Sequence, residues 1–237
     1  MAKYFNSIHL LENTLLPYFC EEEFLKYINK EFSKLNYERH NTYIQPHGIM
    51  ETYLIKSKTL QERKTYKNGK LNGLYETFNL DGQLQTRKYY KNGKFDGLWE
   101  IYYNNGKLLE KCSFKNDKQD GVYNAWYENG DLQFIVNYKN GIKDGLYKQW
   151  FINKRLKIRC NYANDKIEGL YESSYDNGYS EERKNYKAGK LDDLYQLWWL
   201  NGKLRLKCNF KNGKKDGLYE EWDSNGDLVI QNNRQNI

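Results

Sequence analysis

The chain has 237 residues and a net charge of +7, with 38 basic and 31 acidic groups interspersed along it. Without a basic run it does not read as a nucleic-acid binder, and no apolar stretch approaches the roughly 20 residues that cross a bilayer. Apolar content is 39%, yet 23 Tyr and 6 Trp exclude plain disorder, which is poor in aromatics; the balance predicts a thin structure with much surface and little deep core.

The first 45 residues predict a short helical head. Ser7 to Leu16 reads as one helix, with Ile8, Leu11 and Leu15 on a stripe and Pro17 ending it. Glu21 to Tyr37 reads as a second, because Phe24, Ile28, Phe32 and Leu35 fall at helical spacing. Glu21–Glu23 at its start and Lys30 and Lys34 later match the helix dipole. The expected role is a cap on the first edge of a repeat array. An alternative is a docking motif, since Leu15-Leu16-Pro17 before an amphipathic helix resembles the start of an F-box, a ubiquitin-ligase adaptor. Met1 to Cys20 lacks a basic leader followed by an apolar run, so secretion by signal peptide is not expected.

From Tyr66 onward a 24-residue unit recurs seven times without insertion or deletion, restarting at Tyr90, Phe114, Tyr138, Tyr162, Tyr186 and Phe210. Gly48 to Tyr53 echoes Gly73 to Phe78 from 25 residues upstream, which makes it a partial copy with one extra loop residue. Numbering the unit from Tyr66, position 10 is always Tyr or Trp. Positions 16 and 17 are Asn-Gly in five copies, a strong hairpin signal, and a second Asn-Gly recurs at positions 3 and 4. Each unit therefore predicts two strands and two turns. The fold class is mainly β: an elongated, single-layer antiparallel sheet of β-hairpin repeats over residues 46–237 behind the head. Fourteen strands about 4.8 Å apart would span on the order of 67 Å.

A two-residue type I′ turn at positions 16 and 17 predicts the register, with 12 opposite 21, 11 opposite 22 and 10 opposite 23. Charge supports it: Glu76 faces Arg87, Glu100 faces Lys111 and Glu172 faces Arg183, while Lys148 with Arg159 is the one clash. Positions 1, 10, 12, 14, 19, 21 and 23 then share one face, expected to be the drier. Positions 9, 11, 13, 20, 22 and 24 share the other. Copy five, residues 162–185, departs most from the pattern and predicts a bend or loosened pairing.

The unit Y-K-N-G-K-x-D-G-L-Y-E-x-W-x-x-N-G-K-L resembles the MORN-variant repeat, a relative of the MORN (membrane occupation and recognition nexus) repeat. The likeness covers about residues 48–233 and implies elongated antiparallel sheets that bind proteins or, in some relatives, membranes. Asp193, Lys154, Ser174 and Ser180 depart from its pattern.

No catalytic set, metal site or cofactor motif emerges. Cys112, Cys160 and Cys208 all occupy position 23, four strands or roughly 19 Å apart. That is beyond disulfide reach, so they read as buried small side chains of a protein in a reducing cytoplasm, the host's if the chain is viral. His9, His40 and His47 match no ligand spacing. Acidic residues recur with the unit and single out no catalytic pair. Two ladders are the candidate partner-binding elements. Tyr102, Trp126, Trp150, Trp198 and Trp222 fill position 13, with Lys157 and Arg205 at position 20 placed to stack on them. Arg87, Lys111, Arg159, Arg183 and Lys207 form a basic row at position 22. The expectation is a non-enzymatic scaffold for a protein partner. An anionic membrane surface is the alternative partner, and open sheet ends admit an end-to-end homodimer.

Overall fold

The computed structural model describes residues 46–54 and 57–234. The two predicted helices, Cys20, His9 and His40 lie outside the described residues, and so does the F-box-like segment. Every regular element among the described residues is a β-strand, and the strands form one open antiparallel sheet of 17.

Each strand pairs with its neighbours in the chain. β1 (Gly48–Tyr53) pairs with β2 (Leu60–Lys67), β2 with β3 (Lys70–Phe78), and β3 with β4 (Leu84–Lys91). The sequence of pairings continues in the same way to β17 (Leu228–Arg234). β7 (Lys118–Gln119) and β8 (Gly121–Trp126) are one strand interrupted at Asp120. The partial copy behaves as expected. Gly48 stands opposite Tyr66 as Gly73 stands opposite Tyr90, and its longer loop closes with Leu54 N–H donating to Thr59 O.

The two turns of the unit are of different kinds, and the type I′ turn is not the predicted one. It lies at positions 3 and 4, where Asn68 (φ 50°) and Gly69 (φ 76°) are both left-handed and Lys67 faces Lys70. At positions 16 and 17 only Gly82 is left-handed, and Asn79 N–H bonds to Gln83 O around a three-residue loop. A bulge between Thr77 and Phe78 then absorbs the extra residue, so Thr77 faces Thr86, Glu76 faces Arg87 and Tyr75 faces Lys88, as predicted. The asparagine at position 16 has another use. Asn105 accepts from Lys107 N–H through Oδ1 and donates from its amide to Glu128 O in the next loop. Asn153, Asn177 and Asn201 make the same inter-unit bond.

The bulge corrects two face assignments. Position 19 stands opposite position 13, as Leu108 does opposite Tyr102, so it belongs to that face. Position 20 turns toward position 14 instead. The predicted loosening of copy five is also absent. β12 (Lys166–Ser174) and β13 (Ser180–Lys187) keep six paired positions in the common register, from Gly169 with Tyr186 to Ser174 with Ser180.

A second bulge recurs at position 8. Its glycine adopts positive φ, and Gly73, Gly97, Gly121 and Gly145 lie against position 24 of the previous unit. A Cβ added to Gly97 would meet Tyr89 Cβ at 2.8 Å. Asp193 holds this position at φ 76°, a conformation that costs an L-residue about 1 kcal/mol or more.

The sheet has two distinct walls. Among the described residues the buried apolar side chains, Cys112, Ala125, Val136, Cys160 and Cys208, lie at positions 12 and 23 on the face expected to be drier. The opposite wall buries two carboxylates, Glu76 and Glu100.

Candidate binding surfaces

The carboxylate wall is built by register. Position 11 faces position 22 within each wide-loop hairpin, and position 22 faces position 11 of the next unit across each tight turn. One row therefore crosses every rung of the sheet. Sequence reasoning found the first kind of pair and missed the second, although the repeat carried that signal too.

From Glu51 through Arg63, Glu76, Arg87 and Glu100 to Lys111 the signs alternate. Arg63 Nε lies 2.8 Å from Glu51, and its Nη1 lies 3.2 Å from Glu76. Arg87 bridges Glu76 at 3.0 Å and Glu100 at 3.5 Å, and Lys111 reaches Glu100 at 3.0 Å. Glu76 is 4% exposed and Glu100 7%. Carboxylates this dry persist only when paired. Burial raises the Glu100 carboxyl, but hydrogen bonds from Lys111 and Tyr102 and the charges of Lys111 and Arg87 outweigh it, holding it below its ordinary 4.5.

The alternation stops at mid-sheet. Asn124 and Ile135 carry no charge, and Lys148 on β10 (Ile142–Trp150) stands opposite Arg159 on β11 (Leu156–Ala163). Neither cation has an ion-pair partner within 4 Å among the described residues. Glu172 faces Arg159, yet its carboxylate is 3.8 Å from Arg183 instead. Asn124 Oδ1 is buried with no hydrogen-bond partner.

The position-13 residues lie along this same wall, half-buried, and none is in ring contact with another. Tyr102 is part of the charge row, its hydroxyl donating to Glu100 at 3.0 Å. Trp126, Trp150, Trp198 and Trp222 each accept at the main-chain carbonyl from the position-14 ring one unit earlier. The donors are the hydroxyls of Tyr103, Tyr127 and Tyr175 and the indole N–H of Trp199. The cation–π contacts fall on position 14 rather than 13. Lys157 lies 5.2 Å from the Phe151 centroid and Arg205 4.5 Å from that of Trp199. The one-residue offset of the wide turn moves each cation to the neighbouring ring.

The other wall is aromatic. Rings at positions 1, 6 and 10 touch in sequence: Tyr90 lies 4.6 Å from Phe95, Phe95 5.5 Å from Phe114, and Trp99 5.3 Å from Phe114. Next to Trp99 the wall opens into a hollow of about 440 Å³, lined by Tyr123, Tyr138 and Tyr147, with Glu110 and Lys143 as its charged groups. Trp99 lines this hollow, and its Nε1 is buried without a hydrogen-bond partner. Burial, and then the hydrogen bond to Glu110, push the Tyr123 phenol well above its ordinary 10. Burial pushes the Cys112 and Cys160 thiols up to about 11. These side chains offer packing surface and hydrogen-bond donors at neutral pH rather than nucleophiles.

Residues 71–92, 95–116, 119–140 and 194–212 match the family model described as the MORN repeat variant. No curated protein matches the chain at a significant level. Each matched stretch holds the position-10 ring and a hairpin closed by the wide loop, so four repeats of the chain match the MORN repeat variant.

Proposed function

We propose that the array is a binding scaffold for a partner protein and has no catalytic activity of its own. The observation that carries this reading is the openness of both walls. A sheet this long keeps most of its Tyr, Trp, Phe and Leu side chains half-exposed, with only five apolar side chains buried among the described residues. Tyr, Trp and Arg are the residues enriched at protein interfaces, because they bring large area with a polar handle. Stitches between adjacent units hold the fold together, so its faces are free to serve a partner. Three buried, unpaired cysteines fit work in a reducing cytoplasm.

The test is affinity capture from the native cell with wild-type protein and a Trp150→Ala/Trp198→Ala variant. Circular dichroism serves as the fold control. The expected result is a specific partner protein lost on the double substitution. Retention of every captured protein would remove this wall from the reading. Recovery of the protein on anionic but not neutral vesicles, with no partner protein, would favour the membrane reading.

A further inference from the structure

We infer that the mid-sheet stretch of the charge row, centred on Lys148 and Arg159, receives a carboxylate from an extended acidic segment of the partner. This deepens the scaffold reading and rests on it. The first half of the row shows what the wall does with its charges: three carboxylates alternate with three cations, and every charge has a partner. Between Asn124 and Arg183 the row holds three cations, Lys148, Arg159 and Arg183, against the single carboxylate of Glu172. Like charges directly opposite on neighbouring strands destabilise a sheet. Lys148 and Arg159 are such a pair, and no carboxylate among the described residues lies within 4 Å of either. A carboxylate placed between them restores the sign pattern of the rest of the row.

A second unmet group lies on the same row. Asn124 Oδ1, two rungs from Lys148, is buried and accepts no hydrogen bond. Rungs about 4.8 Å apart put it roughly 12 Å from the midpoint of the cation pair, a distance that about four residues of extended chain cover. A peptide crossing these rungs brings one carboxylate to Lys148 and Arg159 and passes over Asn124, whose Oδ1 lies beneath the surface. Ile135 lies between them on the row. Trp126 and Trp150 stand two residues from Asn124 and Lys148 along their strands, on the same face, and give apolar walls to such a chain.

Charge geometry favours a peptide over a polyanionic surface. The cation excess is confined to a few rungs, and toward Glu100 and Glu76 the same row is charge-balanced by Arg63, Arg87 and Lys111. A flat anionic lipid face would find no unpaired cation on those rungs.

The probe is a labelled synthetic peptide of alternating glutamate and threonine, with its glutamine counterpart as control. Vesicles containing phosphatidylserine serve as a separate arm. Binding is measured to the full chain, to a Lys148→Gln/Arg159→Gln variant and to Lys148→Glu, which puts a carboxylate opposite Arg159 as other units do. The glutamate peptide should bind at least about fivefold more tightly than the glutamine one. Both variants should lose that preference, with circular dichroism unchanged. Equal binding of the two peptides, or a preference that survives Lys148→Glu, would overturn the inference. Lys148-dependent binding of vesicles without peptide binding would assign the site to a lipid headgroup and overturn it too. If a partner captured from cells is lost with Trp150→Ala/Trp198→Ala but retained by Lys148→Glu, this inference fails while the scaffold reading stands.

Discussion

Arg87 joins two repeats through one guanidinium, with Nε 3.0 Å from Glu76 in its own unit and Nη1 3.5 Å from Glu100 in the next. Cohesion between units on this wall is thus electrostatic as well as backbone-borne, and Glu76 is the point where it is driest. Glu76→Ala should lower the urea midpoint, at a cost of about 1–3 kcal/mol, because it strands Arg63 and Arg87 without a shared acceptor. A double-mutant cycle with Arg87→Ala should show a coupling of about 0.5 kcal/mol or more. Strictly additive effects would mean the contact carries no energy.

Lys148 gives the opposite case. Lys148→Glu replaces a like-charge pair by the pairing used elsewhere on the row, and should stabilise the array by about 0.2–1 kcal/mol. Chemical denaturation of the variant against wild type reads this directly. A lower midpoint would show that Arg159 is already satisfied.

The row also sets an acid limit. The Glu100 carboxyl is held below 4.5 in the folded chain, against burial, by Lys111, Tyr102 and Arg87. Glu62 is lowered as well, first by the hydrogen bond from Lys64. A depressed carboxyl contributes stability that is full above its unfolded value and is lost as pH falls through its folded value. Stability should therefore hold down to about pH 4.5 and decline below it. Glu100→Gln should flatten that decline; an unchanged acid slope would place the titrating groups elsewhere.

The aromatic wall makes a chemical prediction. With the Cys112 and Cys160 thiols pushed up to about 11 by burial, only about a thousandth of each is thiolate at pH 8. Iodoacetamide should modify them at least about 100-fold more slowly in the native chain than in urea. Peptide mapping of the alkylated protein resolves each site, and native labelling at the unfolded rate would mean that position 23 opens freely.

Two glycines with the same sign of φ should respond differently. Gly97 (φ 128°) leaves only 2.8 Å between an added Cβ and Tyr89 Cβ, whereas Gly106 (φ 79°) has open space. Gly106→Ala should cost about 1 kcal/mol for the left-handed conformation alone. Gly97→Ala should cost about 2 kcal/mol or more, because Tyr89 must also shift. Comparable midpoints for the two variants would show that Tyr89 moves aside freely.

Legibility followed periodicity. The pairing of Glu76 with Arg87 and of Tyr75 with Lys88 was readable because a constant 24-residue stride leaves one register that matches charge to charge. The position-20 cations were assigned to the wrong rings for a physical reason. Asn-Gly has two structural uses, and at Asn105-Gly106 the asparagine is an inter-loop clamp rather than a left-handed turn residue. Nothing local in the dipeptide separates these uses; the bulge that distinguishes them forms across the strand pair. The hollow beside Trp99 was equally hidden, since it depends on how rings from several strands lean.

The amino-acid sequence by itself determined the hairpin repeat, the strand pairing and the row in which charges meet, because side-chain alternation and a fixed stride are properties of the chain. Tertiary structure decided which charges are buried, that Glu172 lies by Arg183 and leaves Arg159 without a carboxylate, and where the aromatic wall opens. Those outcomes depend on contacts between units, where a rotamer or a one-residue bulge chooses among partners that the pattern leaves equivalent.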